Sequence, residues 1–225
     1  MNEKESPLPA SAPRPIRSAA NLAVVALALA GLAWAVRAVW HIRLAMAGEP
    51  ASGPPDQGNG VHRPLNALEN SYHLVSSAGG AVTAVCALVF LLWLDRARDN
   101  ARVLSGKEPR YQYFWLFLAW IVPVVNLWIP RGMVADVHGS VFPERRLPAV
   151  VNWWWGLWLA GLAGGVGLFY ADSTDDVIAR AYNGVWPLLA ADLVIVAAAA
   201  TAALMVRTLT AAQQERIDEV ARTGS

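Results

Sequence analysis

Four long apolar stretches constrain this chain more than any other feature of its sequence. They cover residues 19–40, 71–94, 150–170 and 186–206. At a rise of about 1.5 Å per residue, a helix of such a length matches the roughly 30 Å hydrocarbon core of a bilayer. Only helices and closed barrels satisfy their backbone polar groups in that setting. The sequence therefore predicts an all-α, polytopic membrane protein with four transmembrane helices.

The composition agrees with this class and argues against several others. Only 16% of the residues are charged and 56% are hydrophobic, whereas soluble domains have about 25% charged residues. A net charge of +1 argues against nucleic acid as a partner, which would require a basic face. The single Cys86 excludes an internal disulfide and a cysteine-based metal cluster. The histidines have no metal-ligand spacing, and no catalytic or cofactor motif is present, so we expect neither an enzyme nor a cofactor.

The segments outside the apolar stretches read as tails and loops. Residues 1–18 hold four prolines without apolar periodicity, which is typical of a disordered tail. Residues 41–70 are rich in Gly and Pro and predict a loop. Residues 207–225 predict a charged helical tail. A signal peptide is the alternative for the first stretch, but Arg37 and an overlong apolar region oppose cleavage.

The stretch Trp120–Pro130, WIVPVVNLWIP, lies in an apolar segment, residues 113–130, that need not cross the membrane. Pro123 and Pro130 disfavour a continuous helix, and Trp120 and Trp128 suit the headgroup level. Asn126 offers an amide to backbone groups freed by the break. We predict a re-entrant or interfacial element; the alternative is a true span with a kink.

The distribution of basic residues separates these two topologies, because cytoplasmic loops are enriched in Lys and Arg. If residues 113–130 turn back, 14 of the 18 basic residues lie on one side and 4 on the other. If they cross, each side has 9. The first topology predicts a plasma-membrane protein with cytoplasmic N- and C-termini, with residues 41–70 outside the cytoplasm.

A charged segment follows the second apolar stretch. Residues 95–105 continue a helix whose apolar and charged side chains separate onto different faces, with Arg96, Arg98 and Asn100 among the polar ones. This pattern predicts a helix along the membrane surface, the alternative being an ordinary solvated extension. Residues 131–141 predict a second short surface helix.

Asp192 and Arg37 are charged residues within apolar stretches. An intramembrane carboxylate costs roughly 2.5–3.5 kcal/mol on insertion scales and therefore needs a partner or a function. With four spans, both residues lie within about two turns of the same outer surface; with five, they lie at opposite faces. We predict a polar pair, either a structural ion pair or part of a proton or ion relay.

The third apolar stretch has two overlapping ridges of small residues, which allow close helix approach. We expect these residues to be the packing centre of the bundle: Gly156, Ala160, Gly161, Gly164 and Gly165.

Three tryptophan-rich motifs link the chain to a known family. They are Trp93–Ala101, Trp120–Pro130 and Trp154–Trp158. In this order they resemble the actinobacterial membrane proteins grouped as domain of unknown function 4328, over about residues 70–215. The chain differs from that pattern at Ile121 and His138. The resemblance implies a membrane fold but no reaction.

The sequence supports two hypotheses of function. The first is a non-enzymatic membrane component that packs in the lipid bilayer with itself or with partner proteins. The second is a small transporter or channel-like protein with a polar path through Asp192, Arg37 and Asn126. A membrane-embedded enzyme would need convergent acid–base groups that the sequence lacks.

Overall fold

The computed structural model describes residues 13–48, 64–122, 124–165 and 174–223, and across these ranges the chain is helical without any β-strand. The all-α prediction is confirmed for this part of the chain. A short 3-10 helix, Val125–Leu127, lies between the third and fourth of seven α-helices: α1 Arg17–Ala47, α2 Ala67–Ser105, α3 Trp115–Ile121, α4 Ile129–Val141, α5 Ala149–Gly165, α6 Thr174–Asn183 and α7 Val185–Thr223.

Three of these helices, α1, α2 and α7, are long and apolar enough to cross a membrane. Their outward faces expose large apolar side chains such as Leu29, Leu88 and Leu193, as expected of helices that are apolar on every side. These features indicate a membrane protein. α5 is described over 17 residues, and its predicted continuation through residues 166–170 lies outside the described residues.

Four helices pack side by side and antiparallel. α1 lies between α2 and α7, and α5 packs on the other side of α7. Small residues permit close contact, since a Cβ added at Gly31 of α1 would lie 3.3 Å from the Cβ of Ala199 in α7. On α5, an added Cβ at Gly161 would lie 2.7 Å from Cγ1 of Ile195, and one at Gly164 would lie 2.7 Å from the Cβ of Ala191.

The small residues of α5 therefore differ in whether they contact α7. Gly161 and Gly164 face α7, whereas Gly156 and Ala160 are exposed and a Cβ at Gly156 would meet no atom within 4 Å. The surroundings of Gly165 lie outside the described part of the chain. Among the described residues, one side of this predicted packing centre lies against α7 and the other meets no neighbouring helix at Gly156.

The bundle has two ends, which we name after one residue each. The Asn100 end contains the start of α1, the end of α2, the start of α5 and the C-terminal half of α7, and the Arg37 end contains their opposite termini together with α6. At the Asn100 end, the Asn100 side chain accepts from the Arg14 backbone N–H at 2.8 Å and donates to its carbonyl at 2.9 Å. These bonds fix the start of α1 against the end of α2.

Residues 106–148 leave and re-enter the bundle at the Asn100 end. α2 stops where Gly106 adopts a left-handed conformation with φ 64°. Shortly before α5, Arg145 lies 3.6 Å from Glu215 of α7. The helices between, α3 of 7 residues and α4 of 13 residues, are only about 10 and 20 Å long at 1.5 Å per residue.

Residues 95–105 continue α2 without a break, as the alternative of a helical extension predicts, and do not form a surface helix of their own. No Gly or Pro interrupts the sequence from Trp93 to Ser105, so the helical hydrogen bonds run on. Arg98 and Asn100 are buried against the protein. Arg96 is exposed and donates to the Pro15 carbonyl at 3.4 Å.

Other predicted boundaries also shift towards more helix. α1 continues to Ala47 and α2 begins at Ala67, after a capping box between Asn66 and Glu69, so the loop predicted at 41–70 is shorter. α6 lies between the third and fourth predicted spans, and residues 207–223 extend α7. Residues 1–12 and 49–63, which hold most of the predicted tail and loop, lie outside the described residues.

Candidate functional site at the Arg37 end of the bundle

A buried ion pair joins Arg37 of α1 to Asp192 of α7. The Arg37 Nε–H donates to Oδ2 of Asp192 at 3.0 Å, and Nη2 donates to Oδ1. Arg37 is 6% exposed and Asp192 is 0% exposed. The two parallel bonds form the bidentate geometry in which Arg binds a carboxylate most strongly. The structure thus brings together the two residues that the sequence analysis paired.

His41 is a third member of this cluster. It lies one turn after Arg37 on α1, and Nε2 approaches Oδ2 of Asp192 to 3.3 Å. Its ring is 0% exposed, and neither ring nitrogen makes a hydrogen bond of standard geometry within the described ranges. We call Arg37, His41 and Asp192 the polar cluster. Sequence reasoning missed His41, although the i,i+4 spacing from Arg37 places both on one face of a helix.

Aromatic side chains enclose the polar cluster. The Arg37 guanidinium lies over the Trp34 ring at 4.0 Å, a cation–π arrangement in which the ring face attracts the positive charge. The Tyr72 ring of α2 meets the His41 ring edge-on at 5.3 Å between centroids. Trp34 also donates its indole N–H to Thr83 of α2 at 2.9 Å. Three helices therefore meet at this cluster.

The chemistry available to the cluster is limited to charge pairing and proton binding. Asp192 is held by a permanently charged guanidinium, and the Nε2 atom of His41 also contacts its carboxylate. Nowhere in the described ranges do three or more His, Cys, Asp or Glu residues approach closely enough to hold a metal ion.

The predicted re-entrant motif lies elsewhere in the molecule. The Asn126 amide donates to the Trp120 carbonyl at 3.3 Å, and Trp155 of α5 donates its indole N–H to the Leu127 carbonyl at 3.2 Å. The Asn126 amide thus satisfies backbone freed where α3 ends. Trp128 is exposed and Pro130 is buried in the first turn of α4. Pro123 lies outside the described residues.

The structure does not join Asn126 to the polar cluster. An apolar cavity of about 270 Å³ occupies the space between them. Trp34 and Ile195 line it beside the cluster, and Trp120 lines it beside Asn126. A polar path that includes Asn126, Arg37 and Asp192 is therefore not formed by the described side chains.

The buried polar residues of the Asn100 end serve local structure. Arg98 donates through Nη2 to the Tyr111 carbonyl at 2.5 Å. His138 of α4 is buried, and this burial, reinforced by the nearby charge of Arg145, lowers the pKa of its imidazole from the ordinary value. A Cβ at Gly132 would lie 2.2 Å from the Tyr111 hydroxyl, so Tyr111 packs over α4 where only glycine leaves room.

Comparison with known proteins gives one match. The model of the family described as domain of unknown function (DUF4328) matches residues 65–211. This match contains α2 to most of α7, including Asp192, whereas α1 with Arg37 and His41 precedes it. No curated protein and no solved structure matches the chain. Because the family model covers well over half of its length, the chain belongs to the DUF4328 family.

Proposed function

We propose that this chain is an integral plasma-membrane protein with four transmembrane helices, a re-entrant or interfacial segment at residues 113–130, and cytoplasmic N- and C-termini. Two observations support this topology. Residues 106–148 begin and end at the Asn100 end of the bundle, where 14 of the 18 basic residues belong by their chain positions. Arg37 contacts Asp192, as four spans require. The Asn100 end then faces the cytoplasm.

We propose further that the protein acts as a non-enzymatic component that assembles in the bilayer with itself or with partner proteins. The observation that carries this proposal is the outward face of α5. Gly156 and Ala160 are exposed there, and the neighbouring Trp153 is 68% exposed. Small residues at helical spacing let a second backbone approach closely, and a tryptophan beside them adds a large contact area.

Crosslinking in native membranes tests assembly. We expect crosslinked complexes with the unmodified chain, and a several-fold decrease for the double variant Gly156→Leu, Ala160→Leu. Gly80→Leu is the matched control, because Gly80 of α2 is equally exposed and a Cβ there would meet no atom within 4 Å. A chain that is strictly monomeric and crosslinks to no partner would refute the proposal.

The second candidate function is proton or ion transport at the polar cluster, and the contact between His41 and Asp192 is the observation that favours it. Intramembrane His and Asp side chains are the usual components of proton relays. The measurement is proton-coupled flux in liposomes for Asp192→Asn beside the unmodified chain. Equal flux in the two proteins would exclude this function. The transport path proposed here does not include Asn126, since the apolar cavity separates Asn126 from the polar cluster.

A further inference from the structure

The apolar cavity within the bundle is larger than close packing normally leaves. Its volume is about 270 Å³, whereas protein interiors contain few voids larger than a water molecule. An engineered apolar cavity of about 150 Å³ already binds benzene or xenon. The walls come from α1, α2, α5 and α7, with the Trp120 ring of α3 at one end.

Aromatic side chains form much of this wall. Phe90 lies 5.8 Å from Trp154 and 5.7 Å from Trp120, measured between ring centroids, and Trp158 lies 6.3 Å from Trp120. The lining extends from Leu27 to Trp34 on α1, where Trp34 lies beneath the Arg37 guanidinium, and from Thr83 to Leu91 on α2, with Trp120 of α3 also in the wall. At 1.5 Å per residue, these positions span roughly 10–12 Å along the helices.

The cavity offers too few polar groups to bind the water molecules that would fill it. A cavity of this size would hold several water molecules, and each needs about two to four polar partners. The Thr83 hydroxyl and the Trp34 indole in the wall already bond to protein groups. The indole N–H groups of Trp120 and Trp158, which are buried, lack an acceptor within the described part of the chain. Two such donors do not satisfy several waters.

From the volume, the extent along the helices and the apolar wall, we infer that the cavity binds a linear acyl chain. The volume falls just below the roughly 300–1,000 Å³ of pockets that enclose drug-sized molecules, so it fits a segment of a chain better than a multi-ring compound. The cavity lies among helices apolar enough to cross a membrane, where acyl chains are the abundant solute. This inference rests on the proposed membrane location and not on assembly.

Photocrosslinking with two probes tests the inference. The protein is reconstituted in lipid nanodiscs with either a phosphatidylcholine or a free palmitate that has a diazirine in its acyl chain. After irradiation, labelled positions are mapped by mass spectrometry. We expect label on residues 83–91 and 154–158, at the side chains that line the cavity. Label from the phosphatidylcholine alone identifies a phospholipid chain, and label from palmitate alone identifies a free fatty acid.

A variant that fills the cavity separates bound chains from bulk lipid. Ala87 lines the cavity, whereas Ala84, one turn earlier on α2, is exposed and does not. Ala87→Phe should reduce labelling at Trp154 and Trp158 several-fold, and Ala84→Phe should leave it unchanged. Ala87→Leu is the smaller substitution if the Phe variant does not elute as a single species.

Two results would overturn the inference: no label at the cavity from either probe, or equal label at Trp154 and Trp158 in the Ala87 and Ala84 variants. Neither result depends on oligomeric state, which the crosslinking of Gly156 and Ala160 variants measures separately. A monomeric protein with a labelled cavity would refute assembly and support the acyl-chain site.

Discussion

The two ends of the bundle hold α1 in place by different chemistry. At the Arg37 end, α1 is tied to α7 by a buried pair of opposite charges with His41 against it. At the Asn100 end, the chain just before α1 is tied to α2 by neutral hydrogen bonds between the Asn100 side chain and the Arg14 backbone. One end thus depends on a buried charge pair. The other depends on neutral polar groups, with an exposed ion pair between Arg14 and Asp99 at 3.0 Å beside them.

This difference predicts at which end of the bundle a substitution should lower the free energy of unfolding the most. Breaking a buried ion pair by removing one partner costs about 3–5 kcal/mol, because the other charge is left uncompensated. Removing one partner of a neutral hydrogen bond costs about 1–3 kcal/mol. The Arg37 end should therefore be the more sensitive one, and the following substitutions test that ranking.

The largest effect is expected for Asp192→Ala, which leaves the Arg37 guanidinium without its carboxylate. We expect a loss of about 3–5 kcal/mol in the free energy of unfolding, measured by denaturant titration in mixed micelles. The double variant Arg37→Met, Asp192→Leu should recover most of it, since no unpaired charge remains. Glu219→Ala is the control, because its pair with Arg216 is half-exposed on both sides. Equal losses for Asp192→Ala and Glu219→Ala would contradict the ranking.

A smaller but still large effect is expected for Gly164→Leu, which tests packing at the Arg37 end. A Cβ there would lie 2.7 Å from the Cβ of Ala191, next to Asp192. Overpacking of this kind costs about 3 kcal/mol at the upper end of its usual range. Gly156→Leu, on the open side of α5, should leave the unfolding midpoint unchanged in dilute detergent. Similar losses in the two variants would mean that α5 does not pack on α7 through this face.

At the Asn100 end we expect a more modest loss for Thr210→Val. The Trp93 indole donates to the Thr210 hydroxyl at 3.0 Å, and both side chains are buried. The valine is close in shape but leaves the indole N–H without an acceptor, which costs about 1–2 kcal/mol in unfolding free energy. A loss as large as that of Asp192→Ala would abolish the contrast between the two ends.

The smallest expected effect is a pH dependence of the stability of the folded protein, which arises from His138 at the Asn100 end. Burial and Arg145 lower the pKa of His138 in the folded protein, so the unfolded chain binds a proton more readily. Stability should therefore decrease slightly as the pH falls below the ordinary histidine pKa of about 6.5 towards the lower folded value. The melting temperature of His138→Gln should lack this decrease between pH 7.5 and 5.5. An identical decrease in both proteins would assign it to other groups.

The sequence predicts the apolar helices well, because each of them is determined by the composition of its own segment. Long apolar runs without Gly–Pro interruptions form helices wherever water is excluded, and α1, α2 and α7 follow those runs. The contact between Arg37 and Asp192 could also be anticipated, because basic-residue counts select a topology and the topology brings their two helix ends together.

Other features depend on tertiary contacts that the sequence does not specify. The two ridges of α5 have the same spacing, so only the position of α7 decides that Gly161 and Gly164 lie against it while Gly156 does not. Burial of His41 requires both Asp192 and Tyr72 from distant parts of the chain. The continuation of α2 past Trp93 agrees with the helical pattern of residues 95–105, whereas the burial of Arg98 and Asn100 depends on contacts with other segments.

The central claim is that residues 106–148 leave and return on one side of the membrane. Its most direct test is cysteine accessibility in intact cells, with Cys86→Ala as the background and single cysteines at Lys107, Glu144 and Asn183. All three positions are exposed in the structure. We predict that Lys107→Cys and Glu144→Cys are shielded from a membrane-impermeant maleimide, whereas Asn183→Cys reacts. Reaction of Lys107→Cys and Glu144→Cys from opposite sides would contradict the account.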